Sequence, residues 1–333
     1  MTFDIVMPLT LFLVTVVAML LEKKVEGKLK GAVEEREFRV RDVVLLVAVM
    51  SVTVSLIVFV PQMAVMILFL FSYSMLLFIF TYLFSDFKKA RASLFCVAFL
   101  VVSFLAATIS LLIFSADSWI AHGALAFFCL FSFTFIALLY EQNRAGMEER
   151  WYLAVLPSAL FIFLYLFFGR TPLWFPYLLD LYGIVFAVLI SLYLGSLFEW
   201  NTALIFAGLL TVMDVILVLV TGAMVSAASH VSGLGLPVLV SLPTIPAVVG
   251  ETGRLLYMGL GLGDFFFAGL LAIQAFKKYG KGFAVLSVIG MTVSFFVFEA
   301  YLLTYELRAF PGTLMIICGW LPLVIGKRIA KMF

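Results

Sequence analysis

Charged residues are what this sequence has least of for its length. Only 12% of its 333 residues are Asp, Glu, Lys or Arg, whereas 65% are hydrophobic and the mean hydropathy is +1.23. A water-soluble domain carries about twice that share of charge on average. The composition therefore excludes a soluble globular protein and predicts a polytopic membrane protein embedded in the lipid bilayer.

Cysteine and histidine are also scarce. Cys96, Cys129 and Cys318 all fall in apolar runs, and no two of them have the spacing of a metal site. His122 and His230 lie far apart in the chain. We therefore expect no disulfide, no metal and no cofactor. No dense basic patch is interleaved with aromatic residues, so a nucleic-acid partner is not expected either.

Eleven apolar segments predict an all-α fold, a transmembrane bundle of nine to eleven helices, because about 20 residues are needed to span a bilayer. The second and third are separated only by Pro61-Gln62, and they form either a tight hairpin or a pair that does not fully cross. The first has no basic region and no small-residue cleavage site before Glu22, which predicts an anchor. The segments are 4–21, 43–60, 62–84, 92–115, 119–140, 151–168, 176–198, 202–221, 255–275, 282–305 and 309–326.

No linker divides the chain, so a single membrane domain is expected over residues 1–333. Its N-terminal helices occupy 1–175 and include a cytoplasmic stretch at 22–42 that is either a solvated linker or a short amphipathic helix. A second group of helices occupies 176–326 and includes a long loop at 222–254.

The basic residues of the loops are unevenly distributed. With the N-terminus outside, the inner loops and the C-terminus hold 18 of the 21 Lys and Arg residues, and the outer loops hold only Arg170, Arg254 and Arg308. Because basic residues favour the cytoplasmic side, this distribution predicts that the 222–254 loop is outside and the C-terminus inside.

The 222–254 loop has an unusual composition. Its three prolines exclude a continuous helix, yet residues 236–249 are apolar and β-prone. Two interpretations stay open. The loop is either re-entrant or surface-lying, or it contains an edge strand that pairs with an extended peptide near a site.

Two acids each stand alone in an apolar run. Asp214 lies within 202–220, and Asp264 follows Gly261-Leu262-Gly263 in a run that begins at Leu255. A carboxylate in hydrocarbon costs several kcal/mol, so such a residue is a functional candidate. Counted from the loop between them, the acids lie roughly 10 and 14 Å inside at about 1.5 Å per residue. They can therefore face each other across a helix pair.

Two carboxyl groups that share a proton can hydrolyse a peptide bond without a metal. One acts as general base on a water molecule, and the other, protonated, polarises the carbonyl. Gly261 and Gly263 would let a substrate backbone approach Asp264 closely, although close helix packing is an equally ordinary reason for such glycines. Asp180 and Glu299 are further acids in apolar runs, which either snorkel to the interface or line the cavity.

The order of these motifs resembles that of the presenilin and signal peptide peptidase family of intramembrane aspartyl proteases. Met213-Asp214 and Gly261-Leu262-Gly263-Asp264 are similar to the family motifs Tyr-Asp and Gly-x-Gly-Asp. The family's third motif, Pro-Ala-Leu, corresponds to Pro311-Gly312-Thr313 with Leu314 next. The resemblance covers roughly residues 176–326, with Met in place of Tyr and only the proline kept in the third motif.

The resemblance implies a presenilin-like C-terminal half and catalysis by Asp214 and Asp264. The residues implied to shape the site are Met213, Gly261, Leu262, Gly263, Pro311, Gly312, Thr313 and Leu314. The substrates would be transmembrane peptides or signal-peptide remnants. An outside loop between the aspartates is typical of the signal peptide peptidase branch, and the small size suggests a prokaryotic, archaeal plasma-membrane homologue.

Two other functions are compatible with the same acids. An ion-coupled secondary transporter would use Asp214 and Asp264 as ion sites, with a broken helix near 233–250. A preflagellin or prepilin peptidase also uses Gly-x-Gly-Asp, but such enzymes are usually shorter and cut near the cytoplasmic face.

Overall fold

The computed structural model describes residues 2–32, 38–84, 151–248, 255–305, 307 and 309–330, together with isolated positions between 94 and 123. Of the predicted segment at 92–115 ten positions are described, and of the segment at 119–140 only one; His122 and Cys129 lie outside the described residues. The chain divides into two compact units, Met1–Met66 with Pro176–Phe333, and Ile67–Phe175.

The described residues are mostly helical. The helices are α1 (Val6–Ala32), α2 (Val40–Leu56), α3 (Gln62–Leu83), α4 (Trp151–Phe168), α5 (Leu179–Leu197), α6 (Trp200–Val215), α7 (Ala223–Ser232), α8 (Leu262–Tyr279), α9 (Lys281–Thr304) and α10 (Gly312–Ile329). The strands are β1 (Leu239–Pro243) and β2 (Tyr257–Gly261).

Seven helical stretches of the described chain are long and apolar enough to cross a membrane. They are Val6–Leu29, Val40–Phe59, Gln62–Leu83, Trp174–Leu197, Trp200–Val220, Lys281–Thr304 and Gly312–Ile329. Leu153–Phe168 is a shorter apolar helix. The protein is therefore an integral multi-pass membrane protein, as the composition predicted.

Two predicted boundaries are wrong. α1 continues to Ala32, so the first half of the expected stretch at 22–42 extends the first helix. Its Glu and Lys residues are good helix formers, and this explains the extension. The apolar segment that was expected to be helical from Leu255 is a strand over Tyr257–Gly261, and α8 begins only at Leu262.

The two strands form an antiparallel hairpin, so the all-α prediction was incomplete. Leu239 lies opposite Gly261, and Pro243 lies opposite Tyr257. Strand β1 falls in the apolar part of the 222–254 loop, where one of the two interpretations placed a strand. Strand β2 ends at Gly261 and α8 begins at the next residue, Leu262. The N–H of Leu262 donates a hydrogen bond to Val238 O at 3.0 Å, so the first residue of α8 is still paired with the hairpin.

Helix α8 is the central helix of the larger unit. Its residues 265–275 are all buried, and it packs against α1, α5, α9 and α10. A Cβ added at Gly269 would lie 2.5 Å from Ser191 Oγ of α5, so glycine permits a close approach of these two helices. At the other end of α8, Lys277 Nζ lies 2.7 Å from Glu22 and 3.0 Å from Glu26 of α1. These contacts hold α8 in a defined position.

The smaller unit contains most of α3 together with α4. The Ser158 hydroxyl donates to Ser74 O at 2.9 Å. The rings of Tyr73 and Phe161 meet edge to face, with centroids 6.1 Å apart. These contacts join the two helices within the unit.

Candidate active site

Asp214 lies within a continuous helical stretch, whereas Asp264 lies near the start of its helix. Asp214 is the second-last residue of α6, immediately before π-helical turns at Ile216–Val220. Asp264 is the third residue of α8, and both side chains are half-buried. The predicted depth of Asp264 inside a helix was wrong, because the seven residues before Leu262 are not helical. Helices α6 and α8 are nevertheless in contact.

The N-terminus of α10 brings the two acids together. The Asp214 Oδ2 atom accepts two hydrogen bonds from Thr313, from its N–H at 3.1 Å and from its hydroxyl at 2.7 Å. The Asp264 carboxyl group lies against the preceding residue: a Cβ added at Gly312 would be 2.5 Å from Asp264 Cγ. Two adjacent residues of one helix therefore contact both acids.

Comparison with known proteins identifies no family for this chain. The chain matches no family model, no curated protein and no solved structure. The function of the site therefore has to be inferred from its own residues.

Two helix N-termini meet at the acid pair. Asp264 lies in the first turn of α8, and Asp214 accepts hydrogen bonds from the second residue of α10. The unsatisfied N–H groups and the macrodipole at a helix N-terminus favour negative charge within the first turn. The two carboxyl groups also interact electrostatically with each other. The two helix N-termini therefore favour a negative charge at the pair, whereas the repulsion between two carboxylates opposes a second one.

The other motif residues frame this pair. Gly261 is the N-cap of α8, and a Cβ there would lie 3.3 Å from Asp264 Oδ2. Gly263 is exposed, and a Cβ there would meet nothing within 4 Å. Pro311, which is buried, is the N-cap of α10. Leu262 is buried and Leu314 half-buried.

Met213 occupies the position at which the sequence motif departs from Tyr-Asp. Its Sδ lies 3.1 Å from the Ser51 hydroxyl of α2. Helix α2 packs along α6, and Met213 therefore belongs to this helix contact. No pattern in the sequence identifies Ser51, because nothing in an apolar run shows which hydroxyl faces a residue far along the chain.

Asp180 anchors the hairpin to α5. The Oδ1 atom of Asp180 accepts a hydrogen bond from the N–H of Ser241 at 2.7 Å, and Asp180 is only 6% exposed. A Cβ added at Gly183, one turn further along α5, would lie 2.9 Å from Val240 Cγ2. Asp180 therefore does not snorkel to the interface. It covers the outer edge of β1 and fixes the strand that pairs with β2.

Glu299 and Asp4 are two more buried acids in the larger unit, each 1% exposed. Asp4 accepts the N–H of Ile245 at 2.8 Å, and so provides a second anchor for the hairpin end. Both Glu299 carboxyl oxygens are buried and have no hydrogen-bond partner among the described residues. Glu299 therefore does not snorkel to the membrane interface either.

We expect Asp180→Ala to destabilise the hairpin. The substitution leaves the N–H of Ser241 without its acceptor, which costs at most about 1–3 kcal/mol because the bond is only partly buried. Thermal unfolding in detergent should show a lower midpoint for Asp180→Ala than for Asp180→Asn, which keeps an acceptor oxygen. The exposed Leu181→Ala on the same helix is the surface control. Equal midpoints for Asp180→Ala and Asp180→Asn would contradict the anchoring role.

Proposed function

We propose that the protein is an intramembrane aspartyl protease similar to presenilins and signal peptide peptidases, with Asp214 and Asp264 as its catalytic pair. The observation that supports this most is the convergence of both acids on Gly312 and Thr313. The three motifs that resemble the family are separated in the sequence but adjacent at this point. The proposed substrates are transmembrane peptides and signal-peptide remnants.

The proposed reaction needs only water and the two acids. One carboxylate takes a proton from water while the water oxygen attacks the scissile carbonyl carbon, and the other carboxyl group gives its proton to the carbonyl oxygen. In the resulting diol the C–N bond breaks. The first carboxyl group returns its proton to the leaving nitrogen, and the second carboxylate takes a hydroxyl proton. One water is consumed, a carboxylic acid and an amine are formed, and the pair returns to its initial state.

The hairpin supplies a path for an extended substrate. Backbone groups alternate in direction along an antiparallel strand. Leu262 N–H and Leu256 C=O point towards β1, and the N–H and C=O of the exposed Gly259 therefore point away from it. A substrate segment that unwinds in a bilayer must find partners for its backbone groups, and pairing with this edge of β2 would provide them next to Asp264.

Reconstitution into liposomes tests the proposal. We expect the purified protein to cut a single-span peptide derived from a signal sequence within its apolar segment, with mass spectrometry locating the cut. A peptide isostere with a hydroxyl group at the scissile position should block the reaction, because it resembles the diol. Ion-driven uptake without peptide products would instead identify a transporter. A cut confined to the segment's cytoplasmic end would favour a preflagellin- or prepilin-type peptidase.

The open space at Gly263 leads to a separate prediction about substrate binding. Gly263→Ala should leave the fold intact, since the added Cβ meets no protein atom and Ala is the better helix former. If a substrate backbone passes this face, the methyl group should raise KM about tenfold, near the lower end of overpacking effects. KM and the unfolding midpoint are measured together. An unchanged KM would place the substrate away from Gly263.

A further inference from the structure

Adjacent residues of α10 present different chemistry to the two acids. Asp214 meets two polar donors, the N–H and the hydroxyl of Thr313, and both point at the same oxygen. Asp264 meets the Cα of Gly312, which offers only carbon-bound hydrogens, and its Oδ2 atom lies close to Gly261, the N-cap of α8. The two members of the pair are therefore not equivalent.

This difference bears on where a shared proton resides. A backbone N–H can only donate, so the Asp214 oxygen that receives it acts as an acceptor. The hydroxyl of Thr313 adds a second donor at 2.7 Å, which is within the range of charge-assisted bonds to a carboxylate. Asp264 lies in the first turn of α8 and Asp214 lies against the first turn of α10, so proximity to a helix N-terminus alone does not distinguish them. The hydroxyl of Thr313 does.

We propose that Thr313 is a positioning residue that keeps Asp214 as the anion of the pair and leaves the shared proton on Asp264. This inference rests on the proposed proteolytic function. Asp214 then takes the proton from the attacking water, and Asp264 donates its proton to the carbonyl oxygen. In the second half of the reaction Asp214 returns a proton to the leaving nitrogen, and Asp264 recovers one from the diol.

Substitutions at Thr313 test the positioning role. Thr313→Val keeps the volume and the N–H but removes the hydroxyl, whereas Thr313→Ser keeps the hydroxyl. Hydrogen bonds to charged groups are strong enough that Thr313→Val should lower kcat by about 10- to 100-fold, with KM little changed. Thr313→Ser should keep kcat within about threefold of the wild-type value, since the hydroxyl donor remains. Equal kcat values for the two variants would overturn the role of the hydroxyl.

Binding of the hydroxyl isostere tests the assignment of the proton. An Asn side chain is neutral and offers N–H donors, so it can stand in for a protonated acid but not for an anion. Asp264→Asn should therefore retain isostere affinity to within about tenfold, and Asp214→Asn should lose at least about 100-fold, the range seen when a charged partner is removed. Affinity is measured by displacement of a labelled isostere, with unfolding midpoints to verify folding.

The results separate the two proposals. If Asp214→Asn binds the isostere as well as or better than Asp264→Asn does, the proton assignment is wrong, while the proteolytic function stands. If the wild-type protein neither cuts the signal-sequence peptide nor binds the isostere, the proposed function is wrong.

Discussion

Replacing either Asp214 or Asp264 by Ala is expected to lower the cleavage rate by at least about 10³-fold, because general acid–base catalysis by a positioned group contributes about 10²–10⁴-fold. Each acid has a distinct task in the proposed reaction, and neither task can pass to the other residue. The double variant should be no slower than the slower single variant, since residues that act as a unit are not additive. Initial cleavage rates in liposomes provide the measurement.

The control for this prediction is another buried acid. Glu299 lies on α9, is 1% exposed and makes no hydrogen bond to a described residue. Glu299→Gln preserves its shape and removes no hydrogen bond to a described residue, so it should leave cleavage within about threefold of wild type. If both single Asp variants still cut the substrate at the wild-type rate, the pair is not catalytic.

The two acids could be found in the sequence because charge is so rare in apolar segments. Their isolation identified Asp214 and Asp264 without any knowledge of packing. Their proximity was also predicted, from counting inward along two helices. The count for Asp264 was wrong, because residues 257–261 pair with β1 instead of extending α8. Strand formation there depends on a partner segment elsewhere in the chain, and local pattern shows such pairing poorly.

The residues whose contacts organise the site lie far apart in the sequence. Thr313 reaches Asp214 across 99 positions, and Asp180 reaches Ser241 across 61. Hydrophobic runs predict that helices exist and roughly where they end, but a helix that is apolar all round shows no preferred face. In the sequence, Pro-Gly-Thr differs from Pro-Ala-Leu at two positions, but the separate contacts of its glycine and threonine depend on helix packing that a local pattern does not show.

Although the family motif Pro-Ala-Leu has Ala at this position, Gly312→Ala is expected to lower the cleavage rate of this chain by about 10²-fold, because a misplacement of about 1 Å in a catalytic group has that effect. The new Cβ would lie 2.5 Å from Cγ and 2.8 Å from Oδ2 of Asp264. The carboxyl group must therefore move away from its position opposite Asp214. Helix α10 cannot easily retreat instead, because a Cβ at Gly290 of α9 would already lie 2.8 Å from Gly319 O. Cleavage rates and isostere affinity should fall together.

Gly326 on the same helix supplies the matched control. A Cβ there meets nothing within 4 Å, so Gly326→Ala makes the same chemical change without touching the acids and should keep the wild-type rate. Thr313→Ser changes the residue after Gly312 but keeps the hydroxyl donor, and it therefore shows whether any substitution at this helix end lowers the cleavage rate. If Gly312→Ala cleaves as fast as Gly326→Ala, Asp264 does not lie against Gly312 in the state that performs the proposed reaction. The third motif would then influence catalysis only through Thr313 and Asp214.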